Sequence, residues 1–165
     1  MTPILTTDRL YLRYFVENDL ETLYAYRNRP EVARYQGWSY PYSREECRQF
    51  LQTILHTTIS SPSTQIAIIR REGNIHIGDI YCARRNKTTT IGYTISPDFW
   101  RQGYAYEALN AFIAWIHLKR PDDEIVAMIE PENQPSIALI EKLGFCREEY
   151  IPSFHSYIFV KNYEI

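Results

Sequence analysis

Ile91-Gly92-Tyr93-Thr94-Ile95-Ser96-Pro97-Asp98-Phe99-Trp100-Arg101-Gln102-Gly103-Tyr104-Ala105-Tyr106-Glu107-Ala108-Leu109 changes its period part-way along. Thr89 to Ile95 is β-rich, and Pro97 stops it. Beyond Gly103, residues Ala105, Leu109, Phe112, Ile113 and Ile116 recur at helical spacing until Pro121. The stretch therefore reads as strand, glycine loop and helix. Such a turn leaves several backbone N–H groups without partners and aims a positive helix end at whatever sits there, which suits a phosphate or pyrophosphate. Gly103 lets a ligand approach the backbone, Ala105 keeps the next position small, and Arg101 adds a mobile positive charge. The plainer alternative is that Gly103 only makes a turn. Neither G-x-x-x-x-G-K-[ST] nor a complete G-x-G-x-x-G accompanies the loop, which lowers the standing of ATP and dinucleotide folds.

Upstream, Thr7 to Phe15 reads as a first strand with Leu10 and Leu12 on one face, followed by a helix capped by Asn18 or Asp19. Pro30 opens a short helical turn. Ser43 with Glu46 is a capping-box signature for a helix whose stripe is Cys47, Phe50, Leu51, Ile54 and Leu55. Gln65 to Arg71, Ile75 to Ala83 and Thr89 to Ile95 have the spacing of an antiparallel meander. Downstream come a strand over Glu124 to Ile129, a helix over Pro135 to Leu143 closed by Gly144, and two strands around Ile151 to Ser153. The order predicts an α/β (α+β) fold.

A length of 165 residues, 45% hydrophobic and 23% charged, fits one domain spanning residues 1–165. A formal net charge of −2 is too balanced for a protein that blankets nucleic-acid phosphates or an anionic membrane, so neither partner is expected. No apolar run approaches the ~20 residues of a membrane helix, and Pro3 and Asp8 interrupt what would be a signal peptide; a cytoplasmic location is expected. Cys47, Cys82 and Cys146 have no metal-like or disulfide spacing and are expected to be reduced and buried. No metal site is expected: His56, His76, His117 and His155 have no metal-like i, i+3 or i, i+4 pairing. Fourteen tyrosines and three tryptophans are an unusual aromatic load, serving either a cleft or a core. An aromatic-rich surface is also compatible with a homodimer.

The segment from Ile91 to Pro97 and that from Trp100 to Leu109 together resemble the acetyl-CoA motif of the GNAT superfamily of N-acetyltransferases. Asn133-Gln134-Pro135-Ser136, followed by Leu139-Ile140-Glu141-Lys142-Leu143-Gly144-Phe145, is similar to the N-x-x-S and E-K-x-G-F segment of the same superfamily. Thr7-Asp8-Arg9-Leu10-Tyr11-Leu12-Arg13 resembles the opening strand of its RimJ/RimL-type branch, which acetylates ribosomal-protein N-termini. The resemblance implies a mixed, mostly antiparallel central sheet flanked by helices. It also implies direct transfer of an acetyl group from acetyl-CoA to a primary amine, either a protein N-terminal α-amine or a small amine.

Carried over residue by residue, the resemblance places the cosubstrate against Ile95, Trp100, Arg101, Gln102, Gly103, Tyr104, Ala105 and Asn133. A backbone N–H in the strand ending near Ile95 becomes the oxyanion donor, and Asn133 holds the pantetheine arm or nearby backbone. Two departures stand out. Trp100 occupies the position of a common Gln or Arg, and Arg101 replaces a glycine frequent in the branch. The helix tyrosine that protonates the leaving thiolate in many relatives falls on Ile140, so Ser136 becomes the implied substitute acid, unless its hydroxyl serves only backbone or pantetheine.

Acetyl transfer needs a neutral amine, donors for the developing oxyanion and a proton for the leaving thiolate. Asp79, Asp98 and Glu130, at or near strand ends, are candidate bases, with surface carboxylate as the default for each. Glu107 falls in the first helical turn and reads as structural. His155 lies in the strand pair that often borders the acceptor groove in this superfamily, and Trp38, Tyr40 and Tyr42 line either that pocket or the core. Two other readings stay open: a CoA-binding regulatory or protein-interaction domain without transfer activity, and a nucleotide-binding module using the same loop.

Overall fold

Side chains of the central strands alternate between two apolar layers, so helices must cover both faces of the sheet. The computed structural model describes residues 2–163. In chain order it contains β1 (Leu5–Thr6), β2 (Leu10–Tyr14), α1 (Leu20–Arg27), α2 (Pro30–Ala33), α3 (Arg44–Ile54), β3 (Ser63–Arg70), β4 (Ile75–Arg85) and β5 (Thr88–Ile95). There follow α4 (Tyr104–Lys119), β6 (Glu124–Ile129), α5 (Gln134–Lys142), β7 (Phe145–Ile151) and β8 (Ser156–Lys161). One eight-stranded sheet has the order β1-β2-β3-β4-β5-β6-β8-β7, and every neighbouring pair is antiparallel except β5 and β6.

In β3, Ile66 and Ile68 join Leu10, Leu12, Ile77, Ile80 and Ile91 in the layer beneath α4 and α5, while Ala67 and Ile69 face Leu23, Tyr26, Cys47 and Leu51 from α1 and α3. Period-two alternation allows nothing else once both faces are buried. The Ser43–Glu46 capping box forms as expected, Glu46 N donating to Ser43 Oγ at 3.0 Å and Ser43 N to the Glu46 carboxylate at 2.8 Å.

Three expectations change. The first strand is broken, because Thr7 to Arg9 turn the chain between β1 and β2. Asp19 does not cap α1; its carboxylate takes both guanidinium branches of Arg13 at 2.8 Å and the N–H of Val16 at 2.8 Å. A charge-assisted fork to a buried carboxylate is stronger than one helix-end N–H. Cys47 and Cys82 are buried thiols, but Cys146 is exposed, because in edge strand β7 it points away from the side where Phe145 is buried. Among the described residues no helix is long and apolar enough to cross a membrane.

The site is positioned by the short meeting of β5 and β6. Their parallel pairing covers only Thr88–Glu124, Thr89–Ile125 and Thr90–Val126. At this closed end Asp123 accepts from Arg84 Nε and Nη2, both at 2.7 Å, and from Thr89 Oγ1 at 2.8 Å. Beyond Thr90 the strands part. On its other side β5 stays paired to β4 as far as Gly78 opposite Ile95, where a Cβ on Gly78 would lie 2.1 Å from the Thr94 carbonyl oxygen. Only glycine permits that approach.

Beneath α1 lies a buried polar group that bears on acid stability. His76 Nε2–H donates to the Gly78 carbonyl at 2.9 Å, leaving Nδ1 bare and 3.5 Å from Asp19 Oδ1, enclosed by Phe15 and Tyr26. Burial pushes the imidazole down to about 4, outweighing the attraction of Asp19, whose charge Arg13 already balances. A folded value below the unfolded one means the unfolded chain binds the extra proton more readily, so stability is full above ~6.5 and falls as pH drops toward 4. Protonation then costs the fold ~3 kcal/mol. In urea unfolding across pH, His76→Gln should flatten the slope between pH ~6.5 and ~4 whatever its own stability. A slope as steep as the wild type's would place the acid sensitivity elsewhere.

Candidate active site

The parting of β5 from β6 opens a cleft of roughly 640 Å³ walled by the end of β5, the loop Phe99 to Gly103, the first turns of α4 and α5, and the segment Glu31 to Gln36. On β5, Ser96 N–H donates to Ile77 O in β4 at 2.8 Å, so by strand alternation Ile95 presents its N–H and carbonyl to the opposite, unpaired edge. Trp100 verifies the direction: its Nε1–H donates to Ile95 O at 2.7 Å. The Ile95 N–H thus faces the cleft without a strand partner.

The loop before α4 is shaped by two left-handed residues, Arg101 at φ 60° and Gly103 at φ 81°, the second being the helix N-cap. No side chain caps α4. Its first-turn carboxylate, Glu107, is turned away and accepts from Thr7 Oγ1 at 2.5 Å, Arg9 N–H at 2.9 Å and Arg9 Nε at 2.7 Å. Burial alone would raise this carboxyl, but these donors hold it below the usual carboxylate range. Arg9 also donates to Gln102 O at 2.8 Å and lies 4.3 Å over the Tyr104 ring, so one side chain ties the loop to the helix start. The consequence is a helix N-terminus whose opening N–H groups are left for an anion.

Ser136 stands in the first turn of α5, its Oγ 2.8 Å from Tyr93 Oη. Asn133 is the N-cap residue, makes no side-chain cap bond and lines the cleft. On the facing wall, Tyr35 Oη donates to Glu132 O at 3.2 Å and Arg29 reaches Asp98 at 3.4 Å, so the segment around α2 spans the cleft mouth.

Of the residues singled out from the sequence, Ile95, Trp100, Arg101, Gly103, Tyr104, Ala105, Asn133 and Ser136 all line this cleft. Gln102 does not: it is exposed, its side-chain amide donates to Asp98 O at 3.4 Å and its carbonyl accepts from Arg9. The candidate bases also lie elsewhere. Asp79 is buried under α1 between Tyr26 Oη and Gln65 Nε2, and Asp98 and Glu130 do not line the cleft. Trp38 and Tyr42 belong to the core, with Arg27 stacked 3.9 Å over Trp38 and 4.0 Å over Phe50, and Tyr40 is exposed. His155 bridges Tyr150 Oη at 2.7 Å and the Glu132 carboxylate at 2.9 Å, outside the cleft lining. Ile140 is 1% exposed within the core. Arg9 and Tyr93 carried no assigned role in the sequence; Arg9 lay in the quoted opening strand, but its reach across 98 residues to Glu107 had no local signal. Among the described residues no cluster of three or more His, Cys, Asp or Glu is placed to hold a metal ion.

Residues 9–146 match the family model described as acetyltransferase (GNAT) domain. The chain belongs to the GNAT acetyltransferase family. It is an acetyltransferase whose cosubstrate is acetyl-CoA, and the free helix N-terminus beside a glycine that leaves the backbone open fits the phosphates of that molecule. An uncharacterised N-acetyltransferase of Bacillus subtilis, YoaA, is 32% identical, the match covering 90% of this chain and 85% of the relative. A GNAT-family acetyltransferase from Bacillus anthracis superposes with a TM-score of 0.80 at 26% identity, covering 94% of this chain and 96% of that one. A putative ribosomal-protein-serine acetyltransferase from Vibrio cholerae does so with 0.82 at 25% identity, covering 97% and 98%.

Arg101 stands at a φ of 60°, where a Cβ costs ~1–2 kcal/mol. Arg101→Gly should therefore be more stable than Arg101→Ala by roughly 0.5–1 kcal/mol, the relief of strain exceeding the gain in unfolded-chain entropy. Paired urea melts decide this; equal stabilities would mean the loop relaxes out of the left-handed conformation when Arg101 is removed.

Proposed function

We propose that the chain acts as a single N-acetyltransferase domain of RimJ/RimL type that moves an acetyl group directly from acetyl-CoA to a protein N-terminal α-amine. The observation that carries this is the convergence in one cleft of the unpaired β5 edge at Ile95, the uncapped start of α4 and the Ser136 hydroxyl. Acetyl-CoA supplies the acetyl group as an activated thioester. The opening N–H groups of α4, with Gly103, Tyr104 and Ala105, hold its phosphates, and Arg101 adds an exposed cation. Asn133 holds the pantetheine arm. Ile95 N–H, fixed in direction by the β4 pairing and by Trp100, donates to the carbonyl oxygen as negative charge develops there. Ser136 Oγ–H supplies the proton that the departing sulfur requires.

Direct transfer is supported by the lining: no cysteine and no histidine stands among the cleft residues to serve as an acyl-carrying nucleophile. The same lining favours an α-amine as acceptor. Glu31 is its one carboxylate, and it is paired with Arg29 at 2.6 Å. An acceptor with pKa ~8 is substantially neutral near physiological pH, whereas a lysine amine at ~10.4 needs a base that this cleft does not offer. A lone, paired carboxylate is also poorly matched to a polyamine. The likeness to the Vibrio cholerae protein, described as a ribosomal-protein-serine acetyltransferase, points the same way.

Incubation of the protein with acetyl-CoA and a mixture of free-N-terminus peptides, lysine peptides with blocked N-termini, polyamines and aminoglycosides, followed by mass spectrometry, should find acetylation at peptide α-amines. Products confined to lysine or small amines would overturn the acceptor class. Ser136→Ala should lower kcat by roughly 10- to 1,000-fold with CoA affinity nearly unchanged. Loss of affinity at intact kcat would make Ser136 a pantetheine ligand only.

A further inference from the structure

We infer that Tyr93 is a positioning residue for the transfer step, delivering a proton through Ser136; this rests on the reading of Ser136 as proton donor. Tyr93 projects from the parted half of β5 toward the first turn of α5, and its Oη lies 2.8 Å from Ser136 Oγ. Both side chains line the cleft and both are only partly exposed.

A serine hydroxyl has one proton. When the phenol donates to Ser136 Oγ, that proton is released from the pair and directed into the cleft. A phenol is also much the stronger acid of the two, so it is the better ultimate source. Of the other tyrosines lining the cleft, Tyr35 donates to Glu132 O, and neither Tyr104, whose ring lies under Arg9, nor Tyr106, whose ring faces Lys142, is hydrogen-bonded to Ser136. The corresponding helix position, Ile140, carries no hydroxyl.

The acceptor nitrogen's electron pair forms the N–C bond while the C–S bond breaks with its pair on sulfur. Ser136 gives its Oγ proton to that sulfur and takes the Tyr93 phenol proton. Tyr93 recovers a proton through solvent from the acceptor nitrogen, which loses one on becoming an amide. No oxidant, reductant or further reactant is involved.

The test uses the whole protein and CoA itself, so it needs no acceptor. The pH titration of the bound CoA thiol is followed by thiolate ultraviolet absorbance, with CoA affinity at neutral pH measured by calorimetry and folding checked by thermal melts. Hydrogen bonds donated to the thiolate favour it, so Tyr93→Phe and Ser136→Ala should each lower the thiolate-to-thiol ratio at a given pH roughly three- to tenfold. Tyr93→Phe in the Ser136→Ala background should add nothing, and Ser136→Thr should restore the wild-type titration. Fluorotyrosine at position 93, a more acidic phenol with the same shape, should move the titration the opposite way. If Ser136→Ala shifts the thiol and Tyr93→Phe does not, the relay is overturned while the Ser136 reading stands. If neither shifts it, both are overturned. A shift in Tyr93→Phe alone, or additive shifts, would also overturn transmission through Ser136.

Discussion

A parallel strand pair that hydrogen-bonds over three residues and then parts is the constraint on which the rest of this molecule depends. A sheet interior ordinarily satisfies every backbone N–H and carbonyl. Here the far half of β5 has one satisfied edge and one open edge, so other groups must hold it in place. The closed end is held by Asp123 between Arg84 and Thr89, and the open end by Gly78 beneath it and Trp100 beside it. The indole N–H takes the Ile95 carbonyl and leaves the Ile95 N–H for the ligand. The polar atom of Trp100 thus works on the strand, and the proposed phosphate contacts through backbone do not depend on it.

The charges follow the same division. On the α4 side Glu107 is placed where a helix dipole would favour it, yet Thr7 and Arg9 pull its carboxylate toward β2, so it does not quench the N–H groups it sits among. Beneath α1 and α3 the polar groups serve only the fold. Arg13, Asp19 and His76 form one set and Tyr26, Asp79 and Gln65 another, with burial raising the Asp79 carboxyl. Arg27 lies among Trp38, Tyr42 and Phe50 with its Nε unpartnered. Such a layer is demanding to build, and its conspicuous titratable residues, Asp79 and His76, are buried under α1 and stand outside the cleft lining.

What could be read from the sequence was what short-range physics determines. Periodicity gave the meander, α3, α4 and β6 nearly to the residue, the capping box was legible from Ser43 and Glu46, and the strand–loop–helix turn followed from one glycine between two periods. The failures share a cause. Asp19 looked like a cap because its partner Arg13 comes from the preceding strand, and the aromatic group around Trp38 stayed undecided between pocket wall and core because Arg27, which it encloses, is not marked as buried by its own identity. Arg9–Glu107 and Tyr93–Ser136 join residues 98 and 43 positions apart. Neither pairing has a local pattern; each exists only after α4 and α5 have been laid against the sheet.

The placement of the hydroxyls follows from how α5 packs. Ile137 and Ile140 form its buried stripe, and Ile140, at 1% exposure, lies among the core side chains beneath α4, so a polar group there would have to be buried. Ser136 is four residues earlier, one turn toward the helix start, where the stripe emerges into the cleft. At that end the helix dipole favours negative charge, which suits a departing thiolate, and a short side chain can stand there without crowding it. A short side chain cannot reach far, however, and the missing length comes from the opposite wall, where Tyr93 extends from β5. The same parting of β5 and β6 that frees the Ile95 N–H thus opens the space in which a strand residue and a helix residue meet, Tyr93 against Ser136.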